Sequence, residues 1–465
     1  MAEQHPHHRP KFHISPARGY LNDPNGPIEL GDVFHLYYQS RSFPDLAVPV
    51  EWGHATTTDL VHWTLHRPAM GPVPGGLDSD GCWSGNSVVE GDRVRAYYSG
   101  HVRSRRFEHI LTALSDENGT NFGAPARLLD DPDAADGIRM LRDPFVWTDA
   151  DGRHMAIGSV ADGGVAAIRH YRSDDGLKWR YEGHLAELPR TVVDGVDTGE
   201  GWECPQIIRV GDREVAVVCS WSFEDGPGSV VAFPLDRTPE PRVVDDGHDF
   251  YAPSVVRRSS HGPLLFGWIM EGRDAAWWQE EGWSGAISLP RRVWIDADSV
   301  GTERLCTEPH PALDRLRTGE PRHANGAVLE PQSELVIPAV AGTVRLWFGM
   351  NEWVDVDLDP EAGTVAVDTN HASVDVRARG GRVVAFGAFE AASARPAVRV
   401  FIDGSVIEVF TSSGRSLTTR AYPLSGTGWR VEAPHGALVW SLAEAVRPEG
   451  RLGDVALETA GTPLR

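Results

Sequence analysis

Five short apolar runs recur along the first two thirds of the chain: FHLYYQ from Phe34, VRAYYSG from Val94, RHMAIGS from Arg153, EVAVVCSW from Glu214 and PLLFGWI from Pro263. Their starts lie 60, 59, 61 and 49 residues apart. Each follows another short run (DPNGPIEL, SGNSVVE, DPFVWTD, CPQIIRV, APSVVRR) across a tight polar turn, so each pair reads as a β-hairpin. A third echo, TTTDLVHW, SDENGTNF and SDDGLKW, follows three of the pairs. A fixed period signals a repeat architecture, and several strands per repeat signal a propeller blade. One such unit cannot bury both faces, whereas stacking on neighbours does. A period of about 40–45 residues, which a seven-bladed WD40 array needs, is absent. The expected fold class is all-β: a five-bladed β-propeller over residues 1–308 and a C-terminal β-sandwich over 326–465. The Pro-rich, charged stretch 309–325 reads as the linker. A chain of 465 residues is long enough for two such domains.

The period also places acids. Asp23, Asp143 and Glu203 are separated by 120 and 60 residues, which puts them at equivalent positions of repeats one, three and four. Trp83 and Ser84 stand there in repeat two, and Tyr251 in repeat five. Equivalent positions on innermost strands ring a central channel, so three carboxylates converge at one mouth. Such a set suits divalent-cation binding or glycoside cleavage. No DxDxDG-type loop is present. Arg142 is expected to keep Asp143 ionised, while the apolar neighbours Trp202 and Cys204 are expected to raise the pKa of Glu203. Environments that push carboxyl pKa values apart mark an acid and a nucleophile or base, which favours glycoside cleavage.

The net charge of −22 argues against a nucleic-acid partner but leaves neutral sugars open. The four cysteines Cys82, Cys204, Cys219 and Cys306 form no CxxC pair and suit free thiols. The N-terminus has no apolar signal region and no run is long enough to span a membrane, so a cytoplasmic location is expected. His5, His7, His8 and His13 offer metal ligands, but a flexible polar tail is the expectation. The basic run HVRSRRF (101–107) reads as a solvated loop, with a phosphorylated sugar as the alternative partner. No feature indicates an oligomeric state.

Several ordered motifs carry a resemblance: YLNDPNG (20–26), CWSGN (82–86), LRDP (141–144), WECP (202–205), FYAP (250–253), GWSGAISLPR (282–291) and FIDGSVIEVF (401–410). Together they resemble glycoside hydrolase family 32, the invertase, inulinase and levanase family. The resemblance implies a five-bladed propeller with a C-terminal sandwich and a retaining double displacement on fructofuranosides, without a cofactor or metal. It implies Asp23 as nucleophile, Glu203 as acid/base and Asp143 as transition-state stabiliser, with the carboxyls of Asp23 and Glu203 about 5–5.5 Å apart. Asn22, Gln39, Trp52, Ser84, Arg142 and Trp268 match positions lining a fructosyl pocket. Cys204 reads as a packed neighbour tuning Glu203 rather than a nucleophile, because no His is placed to activate it. Tyr20-Leu21 replaces the commoner Trp-Met, and Asn86 the commoner Ser. Asp403 and Glu408 read as structural. The leading expectation is a β-fructofuranosidase acting on sucrose or short fructans. Alternatives are a fructosyltransferase, a sucrose-6-phosphate hydrolase and a non-catalytic fructan-binding module.

Overall fold

Each recurrent pair is an antiparallel hairpin in the computed structural model, which describes residues 5–42, 48–193, 195–297, 303–389, 396–426 and 428–448. The first strands of the five hairpins are β1 (Gly19–Leu30), β2 (Gly81–Glu90), β3 (Ile138–Asp149), β4 (Gly201–Val210) and β5 (Phe250–Val256). Each begins its own sheet, and consecutive first strands touch, with β5 touching β1. This enclosure explains why every residue of β5 is buried. The pair Gly19–Trp283 and Tyr20–Ser284 adds a parallel strand at the free edge of β1. It covers an edge that would otherwise expose unpaired backbone groups.

All five hairpins share one irregularity. Register slips between Leu21 and Pro24, Cys82 and Gly85, Arg142 and Phe145, Glu203 and Gln206, and Tyr251 and Ser254. Within these bulges Asp143, Cys204 and Ala252 take φ of 64°, 46° and 43°, and each precedes a proline. Positive φ is uncommon for non-glycine residues, and bulges bend a strand and re-aim side chains. Close strand approach also fixes a glycine: a Cβ on Gly158 would meet the carbonyl oxygen of Trp202 at 2.2 Å.

The C-terminal part forms a six-stranded and a five-stranded sheet. Leu335, Val400 and Val409 from one pack with Leu346, Val356 and Val367 from the other in a common core. Glu352–Asp359 alternates buried and half-buried residues, as a strand with one core face should. The stretch expected to be a linker is itself structured. Pro311–Leu316 is a 3₁₀ turn, and Arg317–His323 pairs with Leu438–Leu442. The last described residues return to the first sheet, where Val446–Pro448 runs parallel to Trp63–Leu65. Residues 449–465 lie outside the described residues.

The N-terminal histidines do not form a polar tail. His8 is packed against Tyr422, and His13 is fully buried between Asp403 and Glu408 at 2.9 and 2.8 Å. Arg291 joins the same group through Glu408 and Asp245. These charges tie the N-terminal segment, the fifth sheet and the C-terminal sheets together. A buried ion is tolerated where it is paired, and here every charge has a partner. All four cysteines are buried and free. Among the described residues, no helix is long and apolar enough to cross a membrane.

Candidate active site

The bulges of β1, β3 and β4 bring Asp23, Asp143 and Glu203 into one cleft of about 200 Å³, lined also by Asn22, Gln39, Arg41, Trp83, Ser84, Arg142 and Cys204. The hairpin registers correct the equivalence read from the spacing. Ser40, Gly100, Gly158, Cys219 and Trp268 on the second strands face Leu21, Cys82, Arg142, Glu203 and Tyr251. Glu203 therefore aligns with Arg142, Asp143 aligns with Cys204, and Asp23 aligns with Ser84 and Pro144. The acids occupy three successive steps of one shared bulge, not one step of it.

This offset gives each carboxyl its own surroundings. Asp23 accepts from Asn22 Nδ2 at 2.9 Å, from Gln39 Nε2 at 3.3 Å and from the Ser84 hydroxyl. Gln39 in turn donates to Ser84 Oγ at 2.6 Å and accepts from Asn22 Nδ2 at 3.0 Å. Asp143 accepts from the Cys204 backbone N–H at 3.0 Å, while its own N–H donates to Ser99 Oγ at 2.7 Å. Glu203 accepts from Tyr251 at 2.9 Å and pairs with Arg142 at 2.5 Å. Cys204 Sγ sits between two acids, 3.8 Å from Asp23 Oδ2 and 3.6 Å from Asp143 Oδ2.

Arg142 thus makes its close ion pair with Glu203 and acts on Asp143, the residue beside it, only through its charge. Asp143 feels that cation less than its own burial, which pushes its pKa to about 7. Burial also raises Glu203, opposed by Arg142 and Tyr251, and raises Asp23, opposed by Ser84 and Asn22. The apolar neighbour expected to act on Glu203 does not face it. Successive strand residues point to opposite faces, and the fully buried Trp202 ring packs against Phe233 on the other side. Burial by the whole cleft raises Glu203.

Other expected site residues divide. Asn22, Gln39, Trp83, Ser84, Arg142 and Cys204 line the cleft, and Tyr251 reaches it through its hydroxyl. Trp52 does not line it. Its ring is fully buried near Tyr37, Tyr98 and Phe122, and its Nε1 donates to the Trp83 carbonyl at 3.0 Å. Trp52 therefore supports the Trp83 backbone from behind. Trp268 also stands outside the lining, edge-on to Tyr20 at 6.2 Å. Sequence reading did not single out Arg41, Ser99 or Trp221, whose ring lies 5.2 Å from the Arg142 guanidinium carbon. All three fall on second strands, Arg41 two residues past its apolar run and Ser99 and Trp221 near the ends of theirs, where alternation alone marks the cleft-facing side. A cavity of about 290 Å³ lies elsewhere, lined by Ile28, Val88, Trp147 and Arg257, with Glu29 its one acid. It assembles no acid pair.

Comparison with known proteins agrees along nearly the whole chain. Residues 13–309 match the model for the glycosyl hydrolases family 32 N-terminal domain, and residues 310–444 match that for the family's C terminal. The chain is similar to the sucrose-6-phosphate hydrolase of Escherichia coli, 27% identical over 450 residues, with 89% of each chain covered. It is 28% identical to the raffinose invertase of the same organism over 458 residues, again with 89% of each covered. Among solved structures, its fold matches the sucrose-6-phosphate hydrolase of Lactobacillus gasseri with TM-score 0.79 at 22% identity, covering 95% of this chain and 94% of that one. It also matches fructan 1-exohydrolase IIa of Cichorium intybus, solved with 1-kestose, with TM-score 0.76 at 20% identity, covering 96% and 100%.

Proposed function

Because the chain belongs to the family 32 glycosyl hydrolases, we propose that it is a retaining β-fructofuranosidase that releases terminal fructofuranosyl units from sucrose or short fructans. The observation that carries this reading is the division of labour among the three acids. Burial raises both Asp23 and Glu203, but their partners differ: Asp23 meets the neutral donors of Asn22, Gln39 and Ser84, whereas Glu203 is held by the Arg142 cation and the Tyr251 phenol, an arrangement that suits a nucleophile facing an acid/base.

In this reading a carboxylate oxygen of Asp23 attacks C2 of the fructofuranosyl unit. The bond from C2 to the leaving oxygen breaks, and that oxygen takes the Glu203 proton. A fructosyl ester on Asp23 results. Glu203, now ionised, takes a proton from water; the water oxygen bonds to C2 and Asp23 leaves as carboxylate. Asp143 is fixed through the Cys204 and Ser99 contacts, and its remaining lone pairs bind sugar hydroxyls as charge develops at C2. Arg142 shuttles no proton; it holds Glu203 in place and favours its ionised form in the second half-reaction. A cleft of about 200 Å³, smaller than the roughly 300–1,000 Å³ of drug-sized sites, suits one terminal sugar ring.

The same reading assigns the five sheets as blades of a propeller around the channel ringed by β1–β5, covering residues 1–308. It assigns the two C-terminal sheets as a sandwich. Contact of β5 with β1 and the shared C-terminal core support this division.

Sucrose 6-phosphate is the second substrate reading, favoured by the names of the E. coli and L. gasseri relatives. His101, from the basic run, stacks on Trp83 at 4.1 Å and so stands beside the cleft. Kinetics on sucrose, sucrose 6-phosphate, inulin and levan, with product analysis, test both readings. Release of free fructose is expected. Mainly oligomeric products would instead indicate transfer, and no turnover of any fructoside would overturn the assignment.

A further inference from the structure

One side-chain cluster outside the cleft is arranged like a cation site. The 3₁₀ turn Pro6–His8 carries His5 and His8 to Glu281, the last residue of α1 (Ala275–Glu281). One ligand atom from each lies within 4.8 Å of the other two. His8 is 1% exposed, and the Glu281 side chain is likewise 1% exposed.

The hydrogen bonds leave this group unfinished. His8 Nε2 donates to the Pro423 carbonyl at 2.9 Å, so its Nδ1 carries the lone pair. That Nδ1 is buried without a partner. Glu281 Oε1 meets His5 Nδ1 at 2.5 Å, whereas Oε2 is buried without a partner. Two unpaired acceptors buried in one cluster are costly unless something positive joins them. The nearby cation Arg273, whose charge reaches both His8 and Glu281, gives its Nε and Nη2 to the two oxygens of Glu271 at 2.9 and 2.8 Å, and its buried Nη1 makes no hydrogen bond to Glu281 or to any other group. A ring N–H donated to a backbone carbonyl is also the bond that orients a metal-binding imidazole.

We propose that His5, His8 and Glu281 bind one divalent transition-metal ion of the zinc class, with a fourth position left to water. Two imidazoles and a carboxylate suit zinc, whereas calcium and magnesium take oxygen sets. The ligand atoms of a tetrahedral zinc lie about 3.3 Å apart, so on binding the wider separations close and the 2.5 Å His5–Glu281 contact opens. His5, the half-exposed member, has the freedom to do this. The ion replaces the proton between His5 and Glu281. It staples the N-terminal segment to α1, whose Trp278 lies 5.8 Å from Tyr20 at the approach to the cleft.

The test is titration of the untagged, metal-stripped chain with zinc chloride against a chromophoric chelator, with thermal unfolding in parallel. One ion per chain is expected, with an unfolding midpoint that rises with zinc because only the folded chain offers the site. Glu281→Gln and His8→Ala should each weaken binding at least about tenfold and remove the midpoint shift. His7→Ala should bind like the parent, since His7 lies outside the cluster. Glu281 is remote in sequence from the histidines, so its loss separates a built site from chelation by a His-rich segment. Should Glu281→Gln fail to fold by circular dichroism, His5→Ala carries the test with the same expected loss. No zinc binding, or equal binding by the parent and by Glu281→Gln or His5→Ala, would overturn the proposal.

Discussion

Arg142 reaches across to Glu203 at 2.5 Å and leaves Asp143, its neighbour in the chain, to backbone and hydroxyl donors. The φ of 64° at Asp143 accompanies this divergence of two consecutive side chains within the bulge of β3. One guanidinium then serves an acid on the next strand.

Replacing Arg142 with Gln should raise the pKa of Glu203, because the cation favours the ionised form. The alkaline limb of the kcat/KM profile reports Glu203 as proton donor, so it should move to higher pH. The maximal rate should fall at least about tenfold as positioning of Glu203 is lost. A pH–rate profile of the variant checks both.

Tyr251→Phe makes a gentler version of the same test. The phenol donates to Glu203 Oε2 at 2.9 Å and thereby favours its charged form. Removing it should also shift the alkaline limb upward, with a smaller loss of rate than Arg142→Gln. No shift would mean that the hydroxyl does not act on Glu203, and a downward shift would mean that it favours the protonated acid instead.

Ser84→Ala acts on the opposite limb. Ser84 and Asn22 hold the Asp23 pKa down against burial, so losing the hydroxyl should raise it. The acid limb, below which Asp23 is protonated and cannot attack, should move to higher pH. A hydrogen bond to a charged group contributes about 1.5–3 kcal/mol, so kcat/KM should fall roughly 10- to 100-fold. Steady-state kinetics across pH reads both changes.

Stability has its own pH dependence. Burial alone would raise the Glu408 pKa, but Arg291 and His13 outweigh it and hold the pKa below the ordinary value. Its contribution is therefore present above the unfolded glutamate range and is lost as pH falls through the lowered folded value. Glu408→Gln leaves Arg291 and His13 short of a counter-charge and should cost about 3–5 kcal/mol. Thermal unfolding should show this loss near neutral pH and a smaller difference from the parent in acid.

The recurrent hairpins were readable because buried strands repeat apolar runs and polar turns at fixed spacing. Convergence of Asp23, Asp143 and Glu203 was readable for the same reason. Their relative steps were not: the shared bulges begin at Leu21, Cys82, Arg142 and Glu203, which are 61, 60 and 61 residues apart, so spacings of 120 and 60 between the acids each fall one residue short of the structural repeat. Pairing of Arg142 depended on a positive φ that no local pattern around Asp143 encodes. Trp52 was expected in the pocket because the family resemblance put it there, yet the core between the first two sheets absorbs it. The N-terminal histidines looked solvated because their partners, Asp403, Glu408, Glu281 and Pro423, lie hundreds of residues away.

The central claim is that Asp23 forms the bond to the sugar. It is tested most directly by exposing Glu203→Gln to β-fructofuranosyl fluoride, quenching in acid, digesting and analysing the peptides by mass spectrometry. Fluoride leaves without a proton donor, whereas release of the sugar still needs the missing base, so the intermediate should accumulate. The account predicts a gain of one fructosyl unit on the peptide containing Gly19–Pro27, located on Asp23. A fructosyl unit found on Asp143 instead, or no adduct while the fluoride is consumed, would contradict it.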